Sequence, residues 1–228
     1  MDTKKLLIQT AYISLIVQLI TGGIGSVGLF LELKPEDRIL KDILRLETIV
    51  QFIEFIFYYW LVNNLSNIPE NVTLIRYIDW NITTPLMLVS TAMFMKYNTM
   101  KENEKKIETK DFIEHEKEKV YQIVIYNFAM LLFGLLGEFG YLSKYISVPL
   151  GFIFFYLLFQ VLENNYIGDN TTNLYLYKFL FGVWALYGVA ALLNFELKNT
   201  CYNVLDIFSK NFYGLFIFYV IYQTKMNY

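Results

Sequence analysis

Charged residues are confined to short stretches of this chain, and long apolar runs separate them. Lys5 and Glu32 bracket 26 uncharged residues, and Lys119 and Glu138 bracket 18. About 20 mostly apolar residues are enough for a helix to cross a bilayer. Such runs predict spans at residues 5–22, 43–63, 76–96, 119–139, 145–163, 176–196 and 200–224. One run could be a buried core helix, but seven predict a single all-α integral membrane domain, residues 1–228, built as a seven-helix bundle.

The composition narrows the possible function classes. Of the 228 residues 56% are hydrophobic and 18% are charged, whereas soluble domains carry about a quarter charged residues. Nineteen basic residues nearly cancel 21 acidic ones, so neither nucleic-acid binding nor an acidic tail is indicated. Cys201 is the single cysteine and His115 the single histidine, which argues against an internal disulfide and a zinc site. We predict no metal site and no enzymatic activity.

Basic residues predict the orientation, because they accumulate on the cytoplasmic side of membrane proteins. Segments 24–42 and 97–118, with their flanks, carry Lys34, Arg38, Lys41, Arg45, Lys96, Lys101, Lys105, Lys106, Lys110, Lys117 and Lys119. The opposite face carries Lys4, Lys5, Lys144 and Lys198. The amino terminus is therefore predicted outside and the carboxyl terminus in the cytoplasm. Segment 24–42 alternates apolar and charged residues and is predicted to lie along the membrane surface. Segment 97–118 is predicted to be a charged loop or a helix extension.

Several ionisable residues fall inside the predicted spans or at their edges: Glu47, Glu54, Arg76, Asp79, Glu138, Asp206 and Lys210. An intramembrane charge is costly, so each indicates either function or a salt bridge between helices. Lys210 lies near the middle of span seven, and Asp206 precedes it by one helical turn. A lysine amine in an apolar pocket beside carboxylates has the chemistry for a Schiff base with an aldehyde.

Three motifs resemble the retinal pocket of microbial rhodopsins: RYIDWNITTPL from Arg76, WALY from Trp184 and DIFSK from Asp206. The resemblance implies all-trans retinal on Lys210 as a protonated Schiff base, with Asp79 and Asp206 as counterions. It places Arg76 on the outer side of the site and a hydrogen bond from Thr83 to Asp79. The implied polyene contacts are Trp80, Thr84, Met87, Trp184 and Tyr187. Span six departs from the pattern, since Gly188 and Ala191 replace the usual proline and second tryptophan.

The residues that distinguish a pump from a channel point to a channel. Outward proton pumps of the resembled family carry a carboxylic acid seven residues after the threonine that follows the counterion, where this chain has Ser90. A serine hydroxyl is too weak an acid for this role. Ser14, Glu54 and Asn211 resemble the central constriction of channelrhodopsins. Glu47 lies seven residues before Glu54 on the same helical face, and it could line the pathway or merely reach the membrane surface.

The short chain and acidic second span most resemble rhodopsins of large DNA viruses of marine protists, a group proposed to act as light-gated cation channels. This resemblance predicts a channel for H⁺, Na⁺, K⁺ or Ca²⁺ in the lipid bilayer of the plasma membrane or another host membrane. A weak outward proton pump and a sensor remain alternatives, and a homo-oligomer stays open. A ligand receptor or a sugar-type transporter is disfavoured, because there is no NPxxY motif in span seven and no repeat of three spans.

Overall fold

The computed structural model describes residues 2–68 and 71–227, which form a bundle of seven helices. These are α1 (Thr3–Gly28), α2 (Arg38–Asn63), α3 (Val72–Glu102), α4 (Thr109–Glu138), α5 (Lys144–Leu162), α6 (Thr171–Ala190) and α7 (Phe195–Met226). A π-helical turn, Glu163–Ile167, ends α5, and a second, Ile207–Phe212, interrupts α7. No strand occurs within the described ranges. The predicted fold class, an all-α bundle of seven helices, is confirmed.

The predicted membrane-surface segment 24–42 is largely helical in the structure. Helix α1 continues through Gly22 and Gly23 to Gly28, and α2 already begins at Arg38. The connection is therefore residues 29–37, which include the 3₁₀ turn Pro35–Asp37. The apolar spacing of α1 persists beyond the two glycines, and their high conformational freedom is not enough to end a helix that packs against α2. Segment 97–118 consists mainly of helix extensions, with residues 103–108 between α3 and α4.

The helices form a closed ring in chain order, since each packs against the next and α7 returns to α1. We call the end that carries Asp2 the amino face and the end that carries Asn227 the carboxyl face. Helices α1, α3, α5 and α7 run from the amino face to the carboxyl face, and the others run back. This arrangement brings the middle of α7 beside α1, α2 and α6, which positions the site described below.

The outer surface of the ring is apolar. Ile16, Phe52, Ile125 and Tyr219 are more than half exposed, as expected of side chains that face lipid. Among the described helices, four are long and apolar enough by composition alone to cross a membrane: α1, α4, α7 and α5 with its π-helical turn. Helices α2 and α3 are less apolar because they carry buried acidic and basic residues inside the bundle.

Candidate functional site

Lys210 lies in the π-helical turn of α7 with its side chain 2% exposed. Its Nζ lies 2.8 Å from Glu54 Oε1, 2.9 Å from Asp79 Oδ2 and 3.6 Å from Asp206 Oδ1. Helices α2, α3 and α7 thus each supply one carboxylate. Local π-helix frequently marks a functional site. The two predicted counterions lie beside the lysine, and Glu54, predicted as a gate residue, joins them.

Arg76 fixes the amino-face side of this cluster. Its guanidinium is 1% exposed and donates to Asp206 Oδ2 at 3.0 Å and to Asn199 Oδ1 at 3.1 Å. It also donates to Asn203 Oδ1 and, at 3.4 Å, to the Tyr58 hydroxyl. Partners from α2 and α7 hold the guanidinium, so Arg76 is fixed on the amino-face side of Lys210.

Two tyrosines hold Asp206 in place. The Tyr58 hydroxyl donates to Oδ2 and the Tyr187 hydroxyl donates to Oδ1, both at 2.7 Å. Tyr58 was not among the residues predicted from the sequence, although its position one turn after Glu54 on α2 places it on the same helical face. Asn199 was missed as well, because asparagines near a helix start are common for local reasons.

The buried cluster has an uneven number of charges. Two cations, Lys210 and Arg76, face three carboxylates, those of Glu54, Asp79 and Asp206. An unpaired charge in a buried site is costly. The cluster can remove the excess negative charge by taking up one proton or one hydrated cation.

Thr83 contacts Asp79 differently from what a counterion partner would require. Its hydroxyl donates to the backbone carbonyl of Asp79 at 3.0 Å, the common bond to the preceding helical turn. The carboxylate instead directs Oδ2 toward Lys210, and its buried Oδ1 has no hydrogen-bond partner within the described residues. The threonine thus supports the α3 backbone rather than the carboxylate.

A largely apolar cavity extends from Lys210 between α3, α4, α5 and α6. All five predicted polyene contacts line it: Trp80, Thr84, Met87, Trp184 and Tyr187. Gly188 and Ala191 line it as well, and the Phe152 ring lies so close to Gly188 that a Cβ there would be 2.6 Å from its Cζ. Phe152 therefore fills part of the space left by the two departures from the usual pattern. Asn127, missed in the sequence, donates to the Thr84 hydroxyl at 2.9 Å.

The three predicted constriction residues form no hydrogen bonds with one another in the described structure. Ser14 donates to the Asn203 carbonyl at 2.9 Å, and Asn211 donates to Gln18 at 2.7 Å. Glu54 pairs with Lys210 instead. Each of the three has a polar partner on α7 or α1 instead, and their role in an ion pathway stays a prediction.

Glu47 is fully buried and does not reach the membrane surface, which removes that alternative. It accepts a hydrogen bond from the Ser90 hydroxyl, and Ser90 lies 3.4 Å from the Tyr213 hydroxyl. Ser90, at the α3 position where the resembled pumps carry a carboxylic acid, is thus bonded to a carboxyl group from α2. No sequence pattern within α3 alone could reveal this partnership.

One seam of the bundle contains buried polar atoms that lack a hydrogen-bond partner among the described residues. We define the seam by five polar side chains: Gln18 of α1, Glu47, Gln51 and Glu54 of α2, and Asn211 of α7. The unpaired atoms there are Gln18 Nε2, Glu47 Oε2, Gln51 Oε1, Glu54 Oε2 and Asn211 Oδ1. Buried polar groups normally find protein or water partners. The seam is therefore chemically suited to hold water or ions.

Glu138, which the sequence analysis left unassigned, belongs to a separate ion-pair group at the amino face. Its carboxylate accepts from Lys198 Nζ at 2.6 and 2.8 Å, and Lys144 Nζ lies 3.9 Å away. These contacts tie α4 and the start of α5 to the start of α7. Lys198 does not line the cavity that Lys210 lines.

The chain is similar to known proteins over most of its length. Residues 9–224 match the family model described as bacteriorhodopsin-like protein. The chain belongs to this family, that of the microbial rhodopsins. A green-light absorbing proteorhodopsin from Gamma-proteobacterium EBAC31A08 is 21% identical over 221 residues, covering 89% of this chain and 83% of the relative.

Solved structures share the fold over nearly the full length. The crystal structure of the viral rhodopsin OLPVRII is 30% identical, with a TM-score of 0.83, and the match covers 96% of this chain and 98% of that one. The rhodopsin of Exiguobacterium sibiricum is 19% identical, with a TM-score of 0.78, and the match covers 99% of this chain and 98% of that one. This microbial rhodopsin is thus an integral, multi-pass membrane protein.

Proteins of this family bind retinal through a Schiff-base lysine, and the residues present fit that group. The described structure has two buried lysines, Lys198 and Lys210. Lys198 is paired with Glu138 outside the cavity, whereas Lys210 lines the cavity and has three carboxylates around it. The aromatic walls Trp80 and Trp184 suit a flat conjugated chain. Lys210 is the lysine in the described ranges that satisfies both requirements.

Proposed function

We propose that this rhodopsin is a light-gated cation channel that carries all-trans retinal as a protonated Schiff base on Lys210. When bound, retinal would supply light absorption and isomerisation. The polar residues of the chain would supply the pathway and its closure. Asp79, Asp206 and Glu54 would stabilise the positive charge on the Lys210 nitrogen, and Trp80 and Trp184 would confine the polyene.

The main support for this proposal is the set of unpaired polar atoms in the seam. Five atoms from Gln18, Glu47, Gln51, Glu54 and Asn211 are buried without partners. A purely structural network would satisfy such groups internally, because each unpaired group costs about 1–3 kcal/mol. A pathway that admits water and ions can satisfy them by hydration.

The charge of the seam favours cations. Glu47 and Glu54 are both fully buried on one face of α2, about 10 Å apart by helical rise. Acidic side chains along a pore attract cations and repel anions. Gln51 lies between them on the same helix and is 3% exposed. The three residues would form a polar column from the carboxyl-face half toward Lys210.

In the proposed channel, the contacts of this structure would correspond to a closed pathway. Glu54 and Asp79 bind Lys210, while Arg76 is held by Asp206 and Asn203. Movement of the lysine on illumination would release Glu54 and open the column on the Lys210 side. The excess of basic residues at the carboxyl face supports a cytoplasmic location for that face.

A passive channel predicts a photocurrent that changes sign with voltage. Cells that express the protein with all-trans retinal should be illuminated under voltage clamp at several external cation concentrations. For a monovalent cation the reversal potential should move by about 59 mV for each tenfold change in gradient. Separate gradients of H⁺, Na⁺, K⁺ and Ca²⁺ would identify the permeant ion. A current that stays outward at every voltage would contradict the channel and establish a pump.

An outward proton pump is the second candidate, and the bond between Glu47 and Ser90 favours it. A carboxyl group from α2 lies beside the usual donor position, so Glu47 could return a proton to the site. In that case Glu47→Gln should slow recovery of the dark spectrum, and azide or low pH should restore the rate. In a channel, the same substitution should lower conductance with no rescue by these proton carriers. Flash photolysis and voltage clamp on the same variant distinguish the two outcomes.

A further inference from the structure

Helix α2 carries one continuous surface stripe that changes from basic to apolar along its length and is exposed throughout except at Lys41, which is half-buried. At 100° per residue, its members fall within an arc of about 80°. From the carboxyl face toward the amino face they are Arg38, Lys41, Arg45, Ile49, Phe52, Ile56 and Tyr59. The last four are 47–63% exposed apolar or aromatic side chains, so this side of α2 faces the lipid.

The basic part of the stripe begins where the lipid-facing part ends. Arg45 precedes Ile49 by one turn, which is about 6 Å along the helix. At this distance beyond the last apolar side chain, a bilayer presents its phosphate and glycerol groups rather than hydrocarbon. Phe30, in the connection two residues after α1, is 84% exposed at the same end of the bundle. An exposed aromatic ring of this kind is suited to the membrane interface.

The three basic residues also line a concave site. The site is formed by the segment after α1 and the first two turns of α2, and its walls are Glu32, Leu33, Arg38, Lys41, Asp42 and Arg45. A concave wall with several cations is better suited to enclose one headgroup than a flat basic surface.

One of the two carboxylates in this wall is already paired. Asp42 Oδ1 pairs with Arg45 at 2.5 Å, and Asp42 Oδ2 accepts from Thr109 at 2.6 Å. Arg38 and Lys41 form no salt bridge within the described residues. Their charges are therefore available to an external anion, with Glu32 as the one remaining carboxylate.

We propose that Arg38, Lys41 and Arg45 bind the phosphate-bearing headgroup of an anionic phospholipid whose acyl chains lie along the Ile49, Phe52 and Ile56 face of α2. The stripe favours a lipid as the occupant, because the acyl chains of a lipid can contact the adjoining apolar face and a soluble phosphate cannot. The site lies outside the retinal cavity, so it does not depend on the proposed channel activity.

The test is lipid binding to delipidated pigment in detergent, measured by native mass spectrometry with phosphatidylglycerol or phosphatidylcholine of identical acyl chains. Wild type should prefer phosphatidylglycerol. Arg38→Gln/Lys41→Gln/Arg45→Gln should bind it about 100-fold more weakly, from the usual contribution of each basic residue near an anionic surface. The matched control, Lys105→Gln/Lys110→Gln/Lys117→Gln, removes the same charge from exposed positions off the stripe and should stay within about twofold.

Three results would overturn the proposal. Equal losses in the two triple variants would indicate unspecific attraction, and equal binding of both lipids to wild type would remove the headgroup preference. Displacement by inorganic phosphate at the same concentration as phosphatidylglycerol would indicate a soluble phosphate site. If the first triple variant lacks the visible band of a folded pigment, Lys41→Glu takes its place, with Lys110→Glu as its control.

Discussion

Lys210→Ala is expected to abolish the visible absorption band of the protein purified with all-trans retinal. The physical reason is that Lys210 supplies the amine that lines the aromatic cavity, beside the carboxylates of Asp79, Asp206 and Glu54. No second lysine of the described structure lines this cavity. Absorption between 400 and 700 nm, roughly the visible range, measures the effect, and borohydride reduction followed by peptide mass mapping locates the attachment site.

The control must separate loss of the amine from loss of the fold. Lys198→Gln removes the other buried lysine of α7. This variant should keep the band, because Lys198 pairs with Glu138 away from the cavity and does not line it. Monodisperse elution of Lys210→Ala from a sizing column would show that it is folded. A normal coloured pigment from Lys210→Ala would contradict the assignment of the retinal site.

Glu54→Gln is expected to keep the visible pigment but to reduce the photocurrent at least about fivefold, the lower range of couplings between linked sites. Asp79 and Asp206 remain beside Lys210 in this variant, so its positive charge is still compensated. What is lost is the one carboxylate of the site that also belongs to the polar seam. Whole-cell photocurrent, divided by the amount of pigment, measures the effect.

Glu118→Gln provides the matched control for this substitution. Glu118 is an exposed glutamate in the charged first turns of α4, so its change removes the same charge far from the seam and should leave the photocurrent unchanged. Glu54→Asp should recover part of the current if the carboxylate itself is required. An undiminished current from Glu54→Gln would show that the cation pathway does not pass this residue.

The part of the site that the sequence anticipated rests on local spacing. Asp206 and Lys210 are one turn apart on the same helix, and Arg76, Asp79 and Thr83 share one face of α3. Spacing of this kind survives folding, because a helix fixes the relative positions of its own residues. It could not reveal the partnership between Glu54 and Lys210, which joins residues 156 positions apart.

The boundaries of the first two helices illustrate a different source of error. The first predicted span ends at residue 22, the first of the two glycines Gly22 and Gly23, yet the helix continues to Gly28. Gln51 of α2 lies against this glycine region. Its Oε1 is 3.7 Å from the point that a Cβ would occupy at Gly22 and 3.5 Å from the corresponding point at Gly25. Close packing of α2 against small residues of α1 stabilises helix where intrinsic propensity disfavours it. Propensity within one segment contains no information about such a neighbour.

The sequence by itself determined the seven-helix membrane fold, because apolar run length specifies the spans. Its three motifs resemble the retinal pocket of microbial rhodopsins, and only this resemblance indicated which residues would hold retinal. Only the tertiary structure decided the partners of those residues: Glu54 beside Lys210, Tyr58 on Asp206 and Glu47 on Ser90. The reason is that these contacts join different helices, whose relative rotation and register follow from the packing of the whole bundle. The segregation of charges along the chain first indicated a membrane protein. The few charged residues that lie inside the helices find their partners on other helices.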